Sequence, residues 1–206
     1  MLLYYITDRT QFPGSEAQRH RQLLVKVREA VAAGIDYIQL REKDLSGRQL
    51  EQLACEVVDA VRRSRSKTRL LINSRTDVAL AIGGDGVNLR SQDISPLEVR
   101  RIWRAAGSAG EPVVAVSCHS EEEVRSANAA GADFALFGPV FRKAGTPGMG
   151  LTALRAACAH GIPVVALGGL TIENARSCFA CGAAGVAGIR LFQNDDLEDS
   201  VRRLRL

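Results

Sequence analysis

The sequence predicts a single-domain (β/α)8 barrel, a closed ring of eight parallel strands in which each strand is followed by a helix. Two observations lead to this fold class. Apolar runs of three to five residues recur eight times along the 206-residue chain, and longer stretches with helical periodicity separate them. Ala-Gly or Gly-Ala pairs lie where several helices should stop, at residues 33–34, 130–131 and 182–183. An open doubly wound sheet is the alternative, but no G-x-G-x-x-G motif follows the first run.

The predicted elements alternate from one end of the chain to the other. The eight strands are expected at residues 2–6, 37–40, 70–72, 86–89, 113–116, 134–137, 164–167 and 185–189. Helices are expected at residues 16–33, 46–63, 96–106, 120–130 and 171–180, among others. Each helix is long enough to return the chain to the start of the next parallel strand. Because 46% of the residues are hydrophobic, residues 1–206 are expected to bury one substantial core as one domain.

The charge balance favours small anionic ligands over nucleic acid or a membrane. Lys and Arg number 27 against 23 Asp and Glu, a net charge of +4, but the basic residues are scattered and only 5% of residues are aromatic. A nucleic-acid surface is therefore weakly indicated. No apolar run reaches the roughly 18 residues that a membrane span requires. The predicted outer helices show no unambiguous interface stripe, so the oligomeric state stays open.

The cysteines indicate a reducing compartment. Their number, five, is odd, and we expect no secretory segment before residue 1, so reduced thiols in the cytoplasm are the expected state. Cys178 and Cys181 form a C-x-x-C pair, but no second pair of ligands occurs at zinc-site spacing. We interpret them as packing residues.

A row of polar side chains at the end of the second predicted strand is the strongest local sign of function. Gln39, Arg41 and Lys43 are spaced two apart directly after an apolar run. Because side chains alternate across a strand, all three share one face. Two cations and an amide on one face suit a phosphate or diphosphate. The alternative is a solvated cluster in which Glu42 and Asp44 neutralise the two cations.

Polar or glycine residues also follow each of the remaining predicted strands, at the end of the barrel where such folds have their active site. Asn73 and Ser74 follow strand 3, Asp93 lies after strand 4, and Ser117 and His119 follow strand 5. We expect His119 to start the next helix rather than to transfer protons.

The loops after strands 7 and 8 predict a second anion site. Gly168 and Gly169 precede a helix whose free N–H groups and positive dipole end favour a phosphate. Ile189 and Arg190 end the neighbouring strand 8. Loops in these two positions frequently bind phosphate in barrels of this class.

The ordered set of short motifs resembles the superfamily of thiamine phosphate synthases and thiazole tautomerases. The matching segments are YITD at 5–8, QLREKD at 39–44, INSRTDVAL at 72–80, DGVNL at 85–89, VSCHS at 116–120, FGPVF at 137–141 and ALGG at 166–169. Any one of them is weak, but their order along nearly the whole chain is specific.

The resemblance implies a small TIM barrel and a transferase of thiamine biosynthesis. Such an enzyme joins hydroxymethylpyrimidine diphosphate to thiazole phosphate, with magnesium, and releases pyrophosphate. Carried over by position, the pyrimidine diphosphate would be bound by Gln39, Arg41, Lys43 and Asn73. Asp93 would hold Mg²⁺, Ser117 would face the pyrimidine, and the thiazole phosphate would lie at Gly168, Gly169, Ile189 and Arg190.

The chain also departs from the family pattern. Ser74 stands where synthases usually have an acid that is a second magnesium ligand, and a hydroxyl is a far weaker partner for that cation. The loop after strand 6 reads RKAGTP at 142–147 in place of Thr-x-Thr-Lys, and Lys143 or Arg142 is expected to supply the missing charge. Tautomerases typically have a histidine where this chain has Pro139. A synthase is favoured, and a tautomerase or a non-catalytic phosphate-binding barrel remain the alternatives.

Overall fold

The computed structural model describes residues 1–142 and 145–205 and contains a closed barrel of eight parallel strands in sequential order. Each strand pairs with its neighbours in sequence, and β1 pairs with β8 to close the ring. The fold class is therefore confirmed. The strands are β1 Leu2–Ile6, β2 Tyr37–Leu40, β3 Arg69–Asn73, β4 Gly86–Arg90, β5 Val113–Cys118, β6 Phe134–Phe137, β7 Val164–Leu167 and β8 Gly185–Gly188.

Helices on the outside connect successive strands. They are α1 Glu16–Ala32, α2 Gly47–Arg63, α3 Thr76–Ala81, α4 Pro96–Ala105, α5 Glu121–Ala129, α6 Gly150–Cys158, α7 Ile172–Ala180 and α8 Leu197–Arg205, with a 3₁₀ helix at Arg9–Gln11. The five helices with predicted bounds are all present. Where a predicted bound differs from the observed one, it differs by one residue, and that residue is the cap of the helix. Ser46, Ser120 and Thr171, for example, precede their helices and accept hydrogen bonds from the third helical amide. The helices α3, α6 and α8 were expected from the fold class but were given no bounds, and α3 is too short to show a helical period.

Three aromatic rings fill the amino-terminal half of the barrel interior. The ring centroids of Tyr4 and Tyr37 are 5.9 Å apart, those of Tyr4 and Phe134 are 5.8 Å apart, and those of Tyr37 and Phe134 are 5.0 Å apart. These rings belong to an apolar cluster inside the barrel, while a second, larger cluster packs the outer faces of the strands against the helices. The packed floor leaves only the carboxyl ends of the strands for a ligand.

The five cysteines are all free thiols. Cys118 and Cys178 are fully buried, which agrees with a packing role for the second of them. Burial raises the pKa of the Cys118 thiol to about 12. Across residues 1–142 and 145–205, no helix is both long and apolar enough to cross a membrane.

Candidate active site at the mouth of the barrel

Four polar side chains from four successive strands form one half of the barrel mouth. Gln39 on β2 is buried, and its Nε2 donates a hydrogen bond of 2.8 Å to Oδ1 of Asn73 at the end of β3. Asn88 on β4 is buried, and its Nδ2 donates to Oγ of Ser117 on β5 at 2.9 Å. The structure thus brings together three predicted residues, Gln39, Asn73 and Ser117, in one polar layer. We call these four residues the polar wall.

The strand pattern alone did not identify Asn88. It lies within the apolar run of β4, which was interpreted as a plain buried strand. The hydroxyl of Tyr4 reaches Oδ1 of Asn88 at 3.4 Å, so Asn88 connects the aromatic floor to the polar wall. A buried amide held on both sides has a fixed orientation. The signal in the sequence was a polar residue at an inward-facing position of a buried strand.

The opposite half of the mouth is apolar. Ile6 on β1 belongs to the apolar cluster inside the barrel, and Leu167 and Ile189 pack against that cluster from the ends of β7 and β8. A ligand in the mouth therefore meets hydrogen-bonding groups on one side and aliphatic side chains on the other. Such a site suits a flat heterocycle with polar edges.

The loop after β2 is held by a buried ionic network that the sequence pattern did not reveal. Arg9 forms hydrogen-bonded ion pairs with Glu42 at 3.1 Å, with Asp44 at 2.7 Å and with Glu16 at 2.6 Å. The side chains of Arg9 and Glu42 are only 3% and 1% exposed. Glu42 and Asp44 thus lie against Arg9, a contact that the alternative of a solvated charge cluster did not include.

The same network holds the backbone of the predicted anion-binding row. Oγ1 of Thr7 donates to Glu42 at 2.6 Å and accepts from the amide of Arg41 at 3.0 Å. Burial raises the pKa of Glu42, and hydrogen bonds from Thr7 and Arg9 oppose that rise. Hydrogen bonds from Arg9 lower the pKa of Asp44. Arg41 is half-buried and Lys43 is exposed on this loop.

Asp93, the predicted metal ligand, is already engaged by its neighbours. Its Oδ1 accepts from Nε and Nη2 of Arg90 at 3.0 and 2.8 Å, and its Oδ2 accepts from the Arg90 amide at 2.9 Å. The hydroxyl of Ser74 lies close enough to the carboxylate to favour its charged form. Burial works to raise the pKa of Asp93, but the hydrogen bonds from Arg90 and the nearby Ser74 hydroxyl outweigh it, and the pKa lies below its ordinary value.

The side chains around Asp93 do not fit a magnesium site held by the protein. Magnesium binds in octahedral geometry through one or two carboxylates, together with waters and substrate phosphates. Here the single carboxylate has hydrogen bonds on both oxygens, and its neighbour is the neutral Ser74. In the part of the chain that the structure describes, no group of three or more His, Cys, Asp or Glu is placed to hold a metal. The metal role of Asp93 stays a prediction.

The glycines after β7 are required by their backbone. Gly168 and Gly169 have φ of +94° and +65°. A Cβ on Gly168 would lie 2.6 Å from Pro139, and one on Gly169 would lie 2.8 Å from the carbonyl oxygen of Arg142. Both the torsion and the close approach of the loop after β6 therefore exclude larger residues. The amide of Phe141 donates to the Gly168 carbonyl at 3.0 Å, which holds that loop across the end of β7.

The predicted phosphate segments are neighbours at the mouth. Helix α7 begins at Ile172, three residues after Gly169, with Thr171 as its cap, and Nδ2 of Asn174 donates to the Gly169 carbonyl at 3.0 Å. Ile189 and Arg190 follow β8, which pairs with β7. Of these, Ile189 is half-buried and Arg190 is exposed.

Two other predicted residues lie on or near the loop after β6. Lys143 lies outside the described residues. Nδ1 of His119 is 2.6 Å from the carbonyl oxygen of Gly138, and its backbone amide donates to Glu123 in α5. These local hydrogen bonds agree with the expected structural role of His119 at the start of a helix.

The chain is similar to known proteins over almost its whole length. A family model described as thiamine monophosphate synthase matches residues 3–192. The thiamine-phosphate synthase of Syntrophomonas wolfei is 35% identical over an alignment of 209 residues that covers 98% of this chain and 94% of that protein. The thiamine-phosphate synthase of Clostridium novyi is 35% identical over an alignment of 208 residues that covers 98% of this chain and 96% of that protein. Among solved structures, thiamine phosphate pyrophosphorylase from Pyrococcus furiosus has a TM-score of 0.81 at 30% identity. The match covers 99% of this chain and 93% of that one.

Proposed function

We propose that this chain, which belongs to the thiamine monophosphate synthase family, is a thiamine-phosphate synthase. It acts as a transferase that joins hydroxymethylpyrimidine diphosphate to thiazole phosphate and releases pyrophosphate. The observation that carries this proposal is the division of the mouth, in which the polar wall faces an apolar side that ends in the glycines of the β7 loop. One half suits a polar pyrimidine diphosphate, and the other half suits a thiazole with its phosphate.

The diphosphate is bound at the β2 side of the mouth. Arg41 and Lys43 supply positive charge, and Gln39 with its partner Asn73 supplies hydrogen-bonding groups. The anchored backbone of Arg41 supports this role, because a loop that is fixed before the ligand arrives loses little entropy on binding. Arg142 on the loop after β6 is a further cation, and the role expected of Lys143 from the sequence stays a prediction.

The pyrimidine ring lies against the polar wall, and the thiazole phosphate lies beside the glycines. Ser117 hydrogen-bonds the ring, with Asn88 fixing the position of its hydroxyl. The thiazole ring packs on Leu167 and Ile189. Its phosphate is bound by the backbone at Gly168, Gly169, Ile189 and Arg190, near the start of α7.

The chemistry needs charge stabilisation and positioning more than acid–base catalysis. The bond between the pyrimidine methylene carbon and the diphosphate oxygen breaks, and its electron pair leaves with the diphosphate. The thiazole nitrogen then forms a bond to the methylene carbon with its lone pair. Cationic side chains at the diphosphate stabilise the developing negative charge, and the two halves of the mouth hold the carbon and the nitrogen within reach.

The test is release of pyrophosphate by the purified protein. We expect release when both substrates are present and none when either is omitted. The variant Lys43→Ala should raise the KM for the pyrimidine diphosphate, while Arg101→Ala, which removes a cation from an exposed ion pair on α4, should leave it unchanged. Ligand binding without turnover would instead support a binding barrel or a tautomerase. Parallel assays with magnesium and with a chelator test the magnesium prediction.

The cellular setting is a proposal as well. We propose a cytoplasmic location, which is supported by five cysteines that are all free thiols.

A further inference from the structure

Arg90, which neutralises the carboxylate of Asp93, lies at the carboxyl end of a barrel strand. It ends β4 two residues after Asn88 and pairs in register with Ser117 of β5. Since side chains alternate along a strand, Arg90 shares the inward-facing side with Asn88. It therefore lies at the rim of the mouth, directly above the polar wall.

The arrangement of the pair exposes the cation and covers the anion. The side chain of Arg90 is 73% exposed, while that of Asp93 is 13% exposed. Nε and Nη2 of Arg90 both bond one carboxylate oxygen of Asp93, which fixes the plane of the guanidinium. Asp93 holds the guanidinium at the rim, and solvent in the mouth meets positive charge.

The charges at this rim differ from those that a magnesium ion needs. Asp93 and Arg90 together have no net charge, and Ser74 adds none. A divalent cation brought here would meet the guanidinium before it met the carboxylate. A diphosphate would meet the guanidinium first as well, and guanidinium groups bind phosphate oxygens through paired N–H donors.

We propose that Arg90 binds the diphosphate of the pyrimidine substrate and supplies, from β4, positive charge that would otherwise come from a metal ion. Asp93 is a positioning residue that orients the guanidinium. Together with Arg41 and Lys43 of the β2 loop, Arg90 places cations on two sides of the diphosphate. This proposal rests on the proposed function, because it assumes that a diphosphate binds in the mouth.

Calorimetric titration with inorganic pyrophosphate, in a chelator and then in magnesium, tests the proposal without turnover. We expect the unmodified protein to bind pyrophosphate in the chelator within about threefold of its affinity in magnesium. Arg90→Ala should weaken binding in the chelator about tenfold or more, as expected when a charge-assisted hydrogen-bonding pair is lost. Arg101→Ala, from an exposed pair of the same i,i+3 spacing, should bind like the unmodified protein.

A rescue experiment uses the same site. In Ser74→Asp combined with Arg90→Ala, two carboxylates face each other without a cation, which is a donor set that magnesium prefers. We expect this double variant to recover pyrophosphate binding when magnesium is added. Arg90→Lys keeps the charge but loses the planar guanidinium, so its affinity for pyrophosphate in the chelator should lie between those of the unmodified protein and Arg90→Ala. Thermal melting of each variant identifies loss of folding.

Two results would overturn the proposal. One is pyrophosphate binding by folded Arg90→Ala in the chelator that equals binding by the unmodified protein. The other is an unmodified protein that binds pyrophosphate only with magnesium. The proposed function fails separately, if pyrophosphate binds with the expected Arg90 dependence but the two substrates give no pyrophosphate release.

Discussion

Replacement of Arg9 by methionine should destabilise the barrel through the loss of one ion pair in particular. Arg9 contacts three carboxylates, but Asp44 and Glu16 are 55% and 61% exposed and can return to water with little net change in free energy. Glu42 cannot, because its side chain is 1% exposed. Removing one partner of a buried pair typically costs about 3–5 kcal/mol.

The structure places the expected loss near the lower end of that range. Oε2 of Glu42 also accepts from the backbone amide of Arg9 at 3.0 Å, and Oε1 accepts from Thr7. Both bonds survive the substitution, and the methionine side chain keeps much of the aliphatic packing. We therefore expect a loss of about 3 kcal/mol in the free energy of unfolding, or roughly 6–12 °C in Tm for a chain of this size.

Urea unfolding at several pH values measures this loss. Without Arg9, the pKa of Glu42 rises further above its unfolded value. The folded variant then binds the proton more tightly than the unfolded chain does, so its loss of stability relative to the unmodified protein should be smallest at acidic pH and grow as pH rises through the raised pKa of Glu42. The double variant Arg9→Met, Glu42→Gln should regain part of the loss at neutral pH. The matched control Arg125→Met removes an arginine from an exposed pair with Glu122 and should leave the urea midpoint unchanged. An Arg9→Met protein as stable as the unmodified one at neutral pH would refute the reasoning.

Three further predictions concern the mouth and the thiols. Asn88→Ala removes the hydrogen bond that positions the Ser117 hydroxyl, so steady-state assays should show a loss of about tenfold in kcat/KM for the pyrimidine diphosphate; unchanged kinetics would remove Ser117 positioning from the proposal. Gly169→Ala forces a side chain into φ of +65° and towards a carbonyl 2.8 Å away, so chemical denaturation should show a loss of about 1–3 kcal/mol, together with a higher KM for thiazole phosphate. Alkylation of the folded protein at pH 8 should modify Cys55, which is exposed, and spare Cys118, which is buried with a pKa of about 12. Mass spectrometry after digestion measures alkylation at Cys55 and at Cys118. Modification of both thiols at equal rates would contradict the buried environment of Cys118.

The barrel could be predicted from the sequence because its periodic pattern is local. Each strand is a short apolar run, and each of the predicted helices is marked by a cap or an Ala-Gly stop within a few residues of its ends. The site residues that were predicted share this property. Gln39, for instance, belongs to a row spaced two apart, and its contact with Asn73 follows from the adjacency of β2 and β3.

The residues that were missed depend on contacts between distant parts of the chain. Arg9 precedes its partners Glu42 and Asp44 by 33 and 35 residues, and nothing near Arg9 in the sequence distinguishes it from a surface arginine. Ser74 and Asp93 lie on loops after two different strands, and the barrel brings them close enough for Ser74 to help lower the pKa of Asp93. Arg90 was missed for a different reason: its partner Asp93 is only three residues away, but no role was given to a cation at the end of an apolar run.

The aromatic floor has a kinetic consequence. Tyr4, Tyr37 and Phe134 pack together below the polar wall, so a ligand reaches that wall from the carboxyl ends of the strands. Two substrates and two products have to pass the same rim. The thiamine phosphate formed spans both halves of the mouth, so it has to leave through that rim before either substrate can bind again. Product-inhibition patterns should therefore show thiamine phosphate competing with both substrates.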